Sequence, residues 1–144
     1  MSRIIVGVDG SEPSKGALRW AARFLAVTGG WIDAVIAWHP PVIYGMSSLP
    51  GDWNPEKDAE KVLSRAVDEV FGADRPVGTR LIVREGNAAK VLLDESKDAD
   101  LLVVGSRGHG GFAGLLLGSV SAHCAEHATL PVLVVHGNNE GEIP

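Results

Sequence analysis

The sequence predicts a single-domain α/β fold, an open five-stranded parallel sheet with helices on both faces. Short apolar runs rich in β-branched residues alternate with longer segments of helical periodicity along the 144 residues. Helices of this length between strands favour parallel pairing with right-handed crossovers. A chain of this size has room for one core, which we place at about residues 3–136.

Five runs are predicted to be strands, and the first is continuously apolar and β-branched, as expected for a strand that is buried on both faces of a parallel sheet. They are Ile4–Val8, Trp31–Trp38, Arg80–Arg84, Leu101–Val104 and Pro131–Val135. Residues 40–53 are rich in Pro, Gly and Ser, which predicts a loop. The polar and acidic residues 137–144 predict a flexible tail.

Four segments between these strands place their apolar residues at helical spacing. The first begins after Ser11, a good N-cap, with Pro13 suited to the first turn. The other three are predicted over Pro55–Phe71, Ala88–Ser96 and Val120–His127. The apolar residues at this spacing are Ala17, Leu18, Ala21, Phe24 and Leu25 in the first helix and Ala59, Val62, Leu63, Ala66, Val67 and Val70 in the second. In the third, Val91 and Leu92 are predicted to face inward.

Composition excludes several classes of protein. The net charge of −5 argues against a nucleic-acid surface, which is normally a basic patch. No run approaches the roughly 20 apolar residues that span a bilayer, and Asp9 stands where a signal peptide needs an apolar segment. The single cysteine, Cys124, cannot form an internal disulfide. We therefore expect a cytoplasmic protein without nucleic-acid or membrane partners.

A glycine-rich segment, Gly105–Ser119, lies between the fourth strand and the fourth helix. This order presents unpaired N–H groups and the positive end of a helix dipole to one point, and anions bind there. In open parallel sheets the ligand lies beyond the carboxyl ends of the strands. Asp9, Trp38 and Gly105 follow or end strands, so we expect them to line one cleft that binds a phosphate-bearing ligand.

Two familiar phosphate loops do not describe this segment. A Walker A loop needs the tripeptide Gly-Lys-Ser or Gly-Lys-Thr, and the chain contains neither tripeptide. Gly108–Ala113 matches the dinucleotide fingerprint loosely, but too little chain follows it for the next strand and its acidic residue. The spacing is better described as Gly, two residues, Gly, nine residues and Gly-Ser, at Gly105, Gly108, Gly118 and Ser119.

This spacing, with Val-Val-Gly-Ser before it and Leu-Leu-Leu-Gly-Ser-Val-Ser across its end, resembles the ATP-binding branch of the universal stress protein family. The opening Ile-Ile-Val-Gly-Val-Asp-Gly-Ser and the late Leu-Pro-Val-Leu-Val-Val resemble the family's first and last strands. The resemblance implies a Rossmann-like fold of the adenine nucleotide alpha hydrolase type. It also implies ATP as ligand, with Mg²⁺ bound through the phosphates.

The resemblance implies that Asp9 lies near the nucleoside, where it could bond the ribose or help to hold Mg²⁺. Gly7 and the backbone around Trp38 would border the adenine. From the residues alone, Asp9 could equally be a cap at the start of a helix, and Trp38 could be a core residue.

The glycine segment itself would hold the phosphates. Gly105 and Gly108 would allow close approach and positive φ, and Gly118 would remove a side chain at the turn into the helix. The hydroxyls of Ser119 and Ser121 and the first N–H groups of the helix, including that of Val120, would face phosphate oxygens. Arg107 or His109 could touch a terminal phosphate, or be solvated. Ser119 is also a natural N-cap.

His123 and His127 lie one helical turn apart, with Cys124 and Glu126 between them. The zincin pattern has glutamate directly after the first histidine, where this chain has Cys124, and no third ligand is evident. We interpret the segment as a polar helix face with a small buried thiol, not as a metal site or a catalytic nucleophile.

The resemblance further implies a homodimer that pairs the last strands, Pro131–Val135, and signals to an unidentified protein partner according to ATP occupancy. No general base or loop lysine indicates catalysis, so at most slow ATP hydrolysis is expected. Two alternatives remain open. One is a slow ATPase or nucleotidyl-transfer enzyme, and the other is a dimeric interaction module that binds AMP, cyclic AMP or no nucleotide.

Overall fold

The computed structural model describes residues 2–40, 54–107 and 117–136. Strands and helices alternate in the predicted order. The elements are β1 (Ser2–Gly7), α1 (Glu12–Thr28), β2 (Gly30–Trp38), α2 (Pro55–Phe71) with a 3₁₀ turn (Gly72–Asp74), β3 (Arg80–Glu85), α3 (Ala88–Glu95), β4 (Leu101–Gly105), α4 (Ser119–His127) and β5 (Val132–Val135). Within these ranges, no helix is long and apolar enough to cross a membrane.

The five strands form one parallel sheet in the order β3-β2-β1-β4-β5, which confirms the predicted fold class. β1 lies at the centre, where Val6 pairs with Ala34 of β2 on one side and with Val103 of β4 on the other. The chain therefore builds outwards from β1 in one direction and then returns to build in the other.

The sheet is buried between two helical layers. Alternate residues of a strand face opposite sides, so Ile4 and Val6 pack beneath α1 and α2, while Ile5 packs beneath α3 and α4. These two layers explain why the run Ile4–Val8, which predicted a strand buried on both faces, is continuously apolar.

The structure confirms the predicted cap of α1, but it leaves two apolar residues of the helical stripes exposed. Ser11 caps α1 as expected, because its hydroxyl oxygen accepts a hydrogen bond from Ser14 N. However, Phe24 and Val62, which follow the helical spacing of the apolar residues, are 38% and 37% exposed. Each lies at the margin of its apolar stripe, and a helix on a flat sheet buries only a narrow arc of its surface.

A buried carboxylate lies in the middle of β2. Asp33 is fully buried and accepts hydrogen bonds from Arg80 on β3 (Nε to Oδ1 2.7 Å, a second nitrogen to Oδ2 2.6 Å) and from Arg3 Nε on β1 (2.8 Å). Burial alone raises the pKa of Asp33, but the hydrogen bonds from Arg80 and Arg3 outweigh it and leave the pKa below its usual value. The cluster ties three strands together.

Candidate functional site

The candidate site lies where the strand order reverses. β1 is followed along the chain by β2 on one side, whereas β4 occupies its other side. The helices that leave these strands go to opposite faces, so a crevice opens beyond the carboxyl ends of β1 and β4. The residues that enter this crevice from the two strands are Asp9 and the segment Gly105–Arg107.

Asp9 is exposed at the end of β1 and is braced by the start of α1. Its Oδ1 accepts hydrogen bonds from Ser11 N (2.9 Å) and from the Ser11 hydroxyl. Asp9 N in turn donates to Ser14 Oγ at 3.4 Å. The carboxylate therefore supports the cap of α1 and also stands at the crevice, so the two roles open from sequence are compatible.

Gly105 is required for a reason different from the expected one. Its φ lies outside the left-handed region, so the predicted positive φ at this glycine is wrong. A Cβ added there would lie 2.7 Å from the carbonyl carbon and Cβ of Pro13 and 2.9 Å from Ser14 N. Because no real Cβ makes such contacts with backbone, glycine is what allows the first turn of α1 to lie against the end of β4.

Gly7 and Trp38, which the resemblance placed at the adenine, both have packing roles. A Cβ at Gly7 would lie 2.8 Å from a methyl group of Leu92, so this glycine admits α3 to the sheet. Trp38 is half-buried and packs against the core beneath α1 and α2, in agreement with the core interpretation. Its carbonyl oxygen accepts a hydrogen bond from Gly86 N (2.8 Å), which joins the ends of β2 and β3.

The start of α4 differs from the starts of the other helices. Side chains of Ser11, Asn54 and Asn87 cap α1, α2 and α3. In the described part of the chain, no side chain caps α4, whose N-cap is Gly118. Ser119 is the first helical residue, so its predicted role as N-cap is wrong, and its side chain is exposed. Among the described residues, no side chain therefore competes with an anion for the positive end of this helix.

The next two residues of α4 face the protein. Val120 is half-buried and packs against the core on the α3 side. Ser121 is 2% exposed, and its hydroxyl donates to the carbonyl oxygen of Ser106 at 2.9 Å and lies 3.1 Å from that of Gly118. In this structure Ser121 therefore fastens α4 to β4, and its assignment to a phosphate stays a prediction.

Ser106 is the residue of the site that sequence reasoning missed. It is 2% exposed, its N–H donates to Val135 O (2.7 Å), and its carbonyl oxygen accepts from Gly118 N (2.6 Å) and from the Ser121 hydroxyl. These bonds bring the two ends of the glycine segment together. Its place directly after Gly105 was visible in the sequence, but its partners come from non-adjacent segments.

Arg107 is exposed immediately beyond Ser106, at the mouth of the crevice. Gly108 and His109 lie outside the described residues, as do the greater part of the predicted 40–53 loop and the predicted tail, residues 137–144. The assignment of these residues stays at the level of prediction.

The interpretation of α4 as a polar helix face with a small buried thiol is confirmed. Cys124 is fully buried, and burial raises the pKa of its thiol, which makes the thiolate less accessible. His123 and His127 are exposed, with ring centroids 4.4 Å apart. Among the described residues, no group of three or more His, Cys, Asp or Glu could hold a metal ion.

Comparison with known proteins settles the family. The model of the universal stress protein family matches residues 1–136. This chain belongs to the universal stress protein family. A universal stress protein of Mycolicibacterium smegmatis is 33% identical to it over 144 residues, which are 95% of this chain and 49% of that protein. The chain spans about half the length of the curated relatives it matches.

Solved structures of the family share the fold. A universal stress protein in complex with cAMP has a TM-score of 0.71 and is 28% identical, with 94% of this chain and 96% of that chain covered. A family protein from Arabidopsis thaliana with AMP bound has a TM-score of 0.59 at 21% identity, with 97% and 94% covered. The predicted family and fold are thus confirmed, and neighbours of this chain bind nucleotides.

Proposed function

We propose that this universal stress protein binds ATP and acts as a nucleotide-dependent, dimeric signalling module of the stress response. The observation that carries the proposal is the start of α4 beyond the end of β4, where no described side chain caps the first backbone N–H groups. A polyanion satisfies such groups and the helix dipole together. The cAMP complex of a neighbour at 28% identity supports a nucleotide in this crevice.

The charges along the crevice give the nucleotide a direction. Asp9 places a carboxylate at the end of β1, whereas α4 offers the positive end of a dipole beyond β4. Phosphates are repelled by the first and attracted by the second, so the nucleoside lies towards Asp9 and the phosphates towards Ser119 and Val120. Gly7 and the Trp38 backbone border the base, and Arg107 reaches the terminal phosphate.

Mg²⁺ would be held by phosphate oxygens and would neutralise part of their charge. Asp9 is the protein group that could bond either the ribose or this ion. Asp9→Asn separates the two roles, because asparagine keeps an acceptor for Ser11 N and a donor for ribose but loses the charge. A ribose role leaves the Mg²⁺ dependence of ATP affinity unchanged, and a metal role reduces it.

The experiment that tests the proposal is a calorimetric titration of nucleotide-stripped protein with Mg-ATP, AMP, cAMP and GTP. We expect saturable binding of about one ATP per chain, tighter than that of AMP or GTP. Absence of binding by any of the four nucleotides contradicts the proposal and leaves an interaction module with the same fold.

The second candidate is a receptor for a nucleoside monophosphate, which the cAMP-bound neighbour favours. Tighter binding of cAMP or AMP than of ATP in the same titration selects it. A slow ATPase is tested by following phosphate release from the ATP complex of the wild-type protein and of Asp9→Asn. Loss of turnover with binding retained in the variant identifies an enzyme.

The dimer and the location complete the proposal. β5 is the last strand of the sheet, and the apolar side chains of Val132, Leu133 and Val134 are only half-buried. A strand of this kind pairs readily with a copy of itself. The single cysteine, kept as a buried thiol, fits a reducing cytoplasm.

A further inference from the structure

One residue, Ser106, connects the candidate site to the edge of the sheet. The N–H of Ser106 donates to Val135 O, the carbonyl oxygen of the last residue of β5, at 2.7 Å. The carbonyl oxygen of the same residue accepts from Gly118 N (2.6 Å) and from the Ser121 hydroxyl (2.9 Å) at the start of α4. Ser106 therefore stands between α4 and β5 and bonds to both.

These bonds are protected from water, because Ser106, Ser121 and Val135 are 2%, 2% and 3% exposed. A buried backbone group that loses its partner has no solvent to replace it, so the groups move together or at a substantial cost. A shift at the start of α4 is therefore transmitted to the end of β5.

The two edge strands of the sheet, β3 and β5, differ in charge, and this difference favours β5 as the strand that pairs with another chain. β3 carries the exposed charged residues Arg80, Arg84 and Glu85, and charges on an edge strand oppose pairing with another chain. The segment of residues 130–135, which contains β5, has no charged residue. An isologous contact requires a self-complementary strand, and β5 meets this condition with a second copy of itself.

We propose that nucleotide binding at α4 and pairing of β5 with a second copy of this chain are coupled through the backbone of Ser106, whose N–H and carbonyl groups bond to the two elements. The inference rests on the proposed function and adds the regulation of its site. Phosphates that engage the first N–H groups of α4 fix the positions of Gly118 and Ser121. Through Ser106 these residues fix Val135, and the edge strand is ordered for its partner. Coupling is reciprocal, so dimerisation tightens nucleotide binding by the same factor.

The first test measures the dimer dissociation constant of the wild-type protein by sedimentation equilibrium, with and without saturating Mg-ATP. We expect ATP to lower this constant about fivefold or more, within the usual range of coupling between two sites. Amide exchange is followed in the same samples, and the Ser106 N–H is expected to exchange more slowly when ATP is bound. Neither measurement needs a variant.

The second test removes the hydroxyl at the α4 side. Ser121→Ala deletes the hydrogen bond to Ser106 O, and Ser96→Ala is its matched control, because Ser96 is also 2% exposed and donates to a helix carbonyl, that of Leu93 (3.0 Å). At saturating ATP we expect the coupling factor to fall towards one in Ser121→Ala and to stay at the wild-type value in Ser96→Ala.

The outcomes separate this inference from the function on which it rests. If the wild-type protein binds ATP but its dimer constant does not change, or if it is monomeric at all concentrations, the inference is overturned and ATP binding stands. Equal coupling in the two serine variants also overturns it. If no ATP is bound, the proposed function fails first and the inference fails with it.

Discussion

Two adjacent residues at the end of β4 organise the two faces of the sheet. Gly105 leaves room for the first turn of α1 on one face, and Ser106 bonds the start of α4 on the other. Both residues therefore shape the crevice between these helices. At the scale of single residues, the site is therefore built by close approach of backbone rather than by reactive side chains.

Gly105→Ala is expected to destabilise the protein by about 1–3 kcal/mol, the usual cost of overpacking, and to weaken ATP binding. The added methyl group meets the backbone of Pro13 and Ser14, which can yield only if α1 moves. The measurement is urea denaturation combined with the ATP titration.

Gly7→Ala is the matched control for this change. It also adds a Cβ to a glycine at the end of a strand, but here the contact is with a flexible methyl group of Leu92. We expect the cost to stay below about 1 kcal/mol, because Leu92 can turn aside. An equal loss of stability in both variants contradicts the role assigned to Gly105.

At the scale of elements, the starts of α1 and α4 differ in their capping. The N-cap of α1 is Ser11, whose hydroxyl oxygen caps the helix and whose hydroxyl hydrogen is donated to Asp9. The N-cap of α4 is Gly118, and no described side chain caps this helix. Its first N–H groups and the positive end of its dipole are therefore the groups that we expect a ligand to use. The anion site is therefore expected at α4 and not at α1, although both helices start at the same crevice.

Ser119→Glu tests this assignment by placing a fixed carboxylate at the first position of α4. We expect ATP affinity to fall about tenfold or more, since a like charge opposes the phosphates at short range. The same substitution is expected to leave stability unchanged or raise it by about 0.3–1 kcal/mol, since an anion is favourable at a helix N-terminus. Titration calorimetry and thermal denaturation measure the two effects.

Ser119→Gln is the neutral control, since it adds a side chain of the same length without the charge. Its ATP affinity is expected to lie close to that of the wild-type protein. If Ser119→Glu binds ATP as tightly as Ser119→Gln, the phosphates do not lie at the start of α4.

At the scale of the whole molecule, the Asp33 cluster joins the three strands on one side of the sheet. Arg80 lies directly opposite Asp33 in the register of β2 and β3, and Arg3 reaches it from β1. A slip of either neighbouring strand would leave a buried carboxylate without its partner. The cluster therefore specifies the register as well as contributing stability.

Asp33→Asn is expected to cost about 3 kcal/mol at pH 7, because it removes the nearest carboxylate of the partly buried Arg3, which keeps only the more distant Glu95 at 3.9 Å. The pKa of Asp33 is lowered in the folded protein, so its stabilisation is complete above the unfolded-state pKa of about 3.9. It is lost as the pH falls through the lower folded-state pKa. The stability gap between wild type and variant, measured by urea denaturation, should therefore narrow below about pH 4.

Asp94→Asn is the control for an exposed carboxylate, since Asp94 is paired with Lys90 at 3.0 Å in solvent. It is expected to change stability much less than Asp33→Asn does, at any pH, because solvent screens an exposed pair. A gap between wild type and Asp33→Asn that stays constant down to pH 3 would contradict the importance of the Asp33 charge.

The fold could be predicted from the sequence because its signals are local. Apolar runs, helical spacing and the cap at Ser11 each lie within one segment, and the bounds of Pro55–Phe71 were predicted to the residue. The partners of Asp33 and Ser106 could not be predicted, because they depend on the register of segments that are distant in the chain. The family resemblance supplied the candidate site, and packing supplied the reasons for Gly7 and Gly105.

The central position of β1 has a consequence for how the chain folds during synthesis. β1 is the first strand to be made, and β2 and β3 can pair beside it early. Its other edge waits for β4, as the hydrogen bond from Arg3 N to Asp100, 97 residues later, illustrates. Contacts so distant in sequence form slowly. A nascent chain therefore carries a half-built sheet whose central strand has an open edge at the apolar residues Ile4, Ile5 and Val6, the stage at which chaperones would protect it from aggregation.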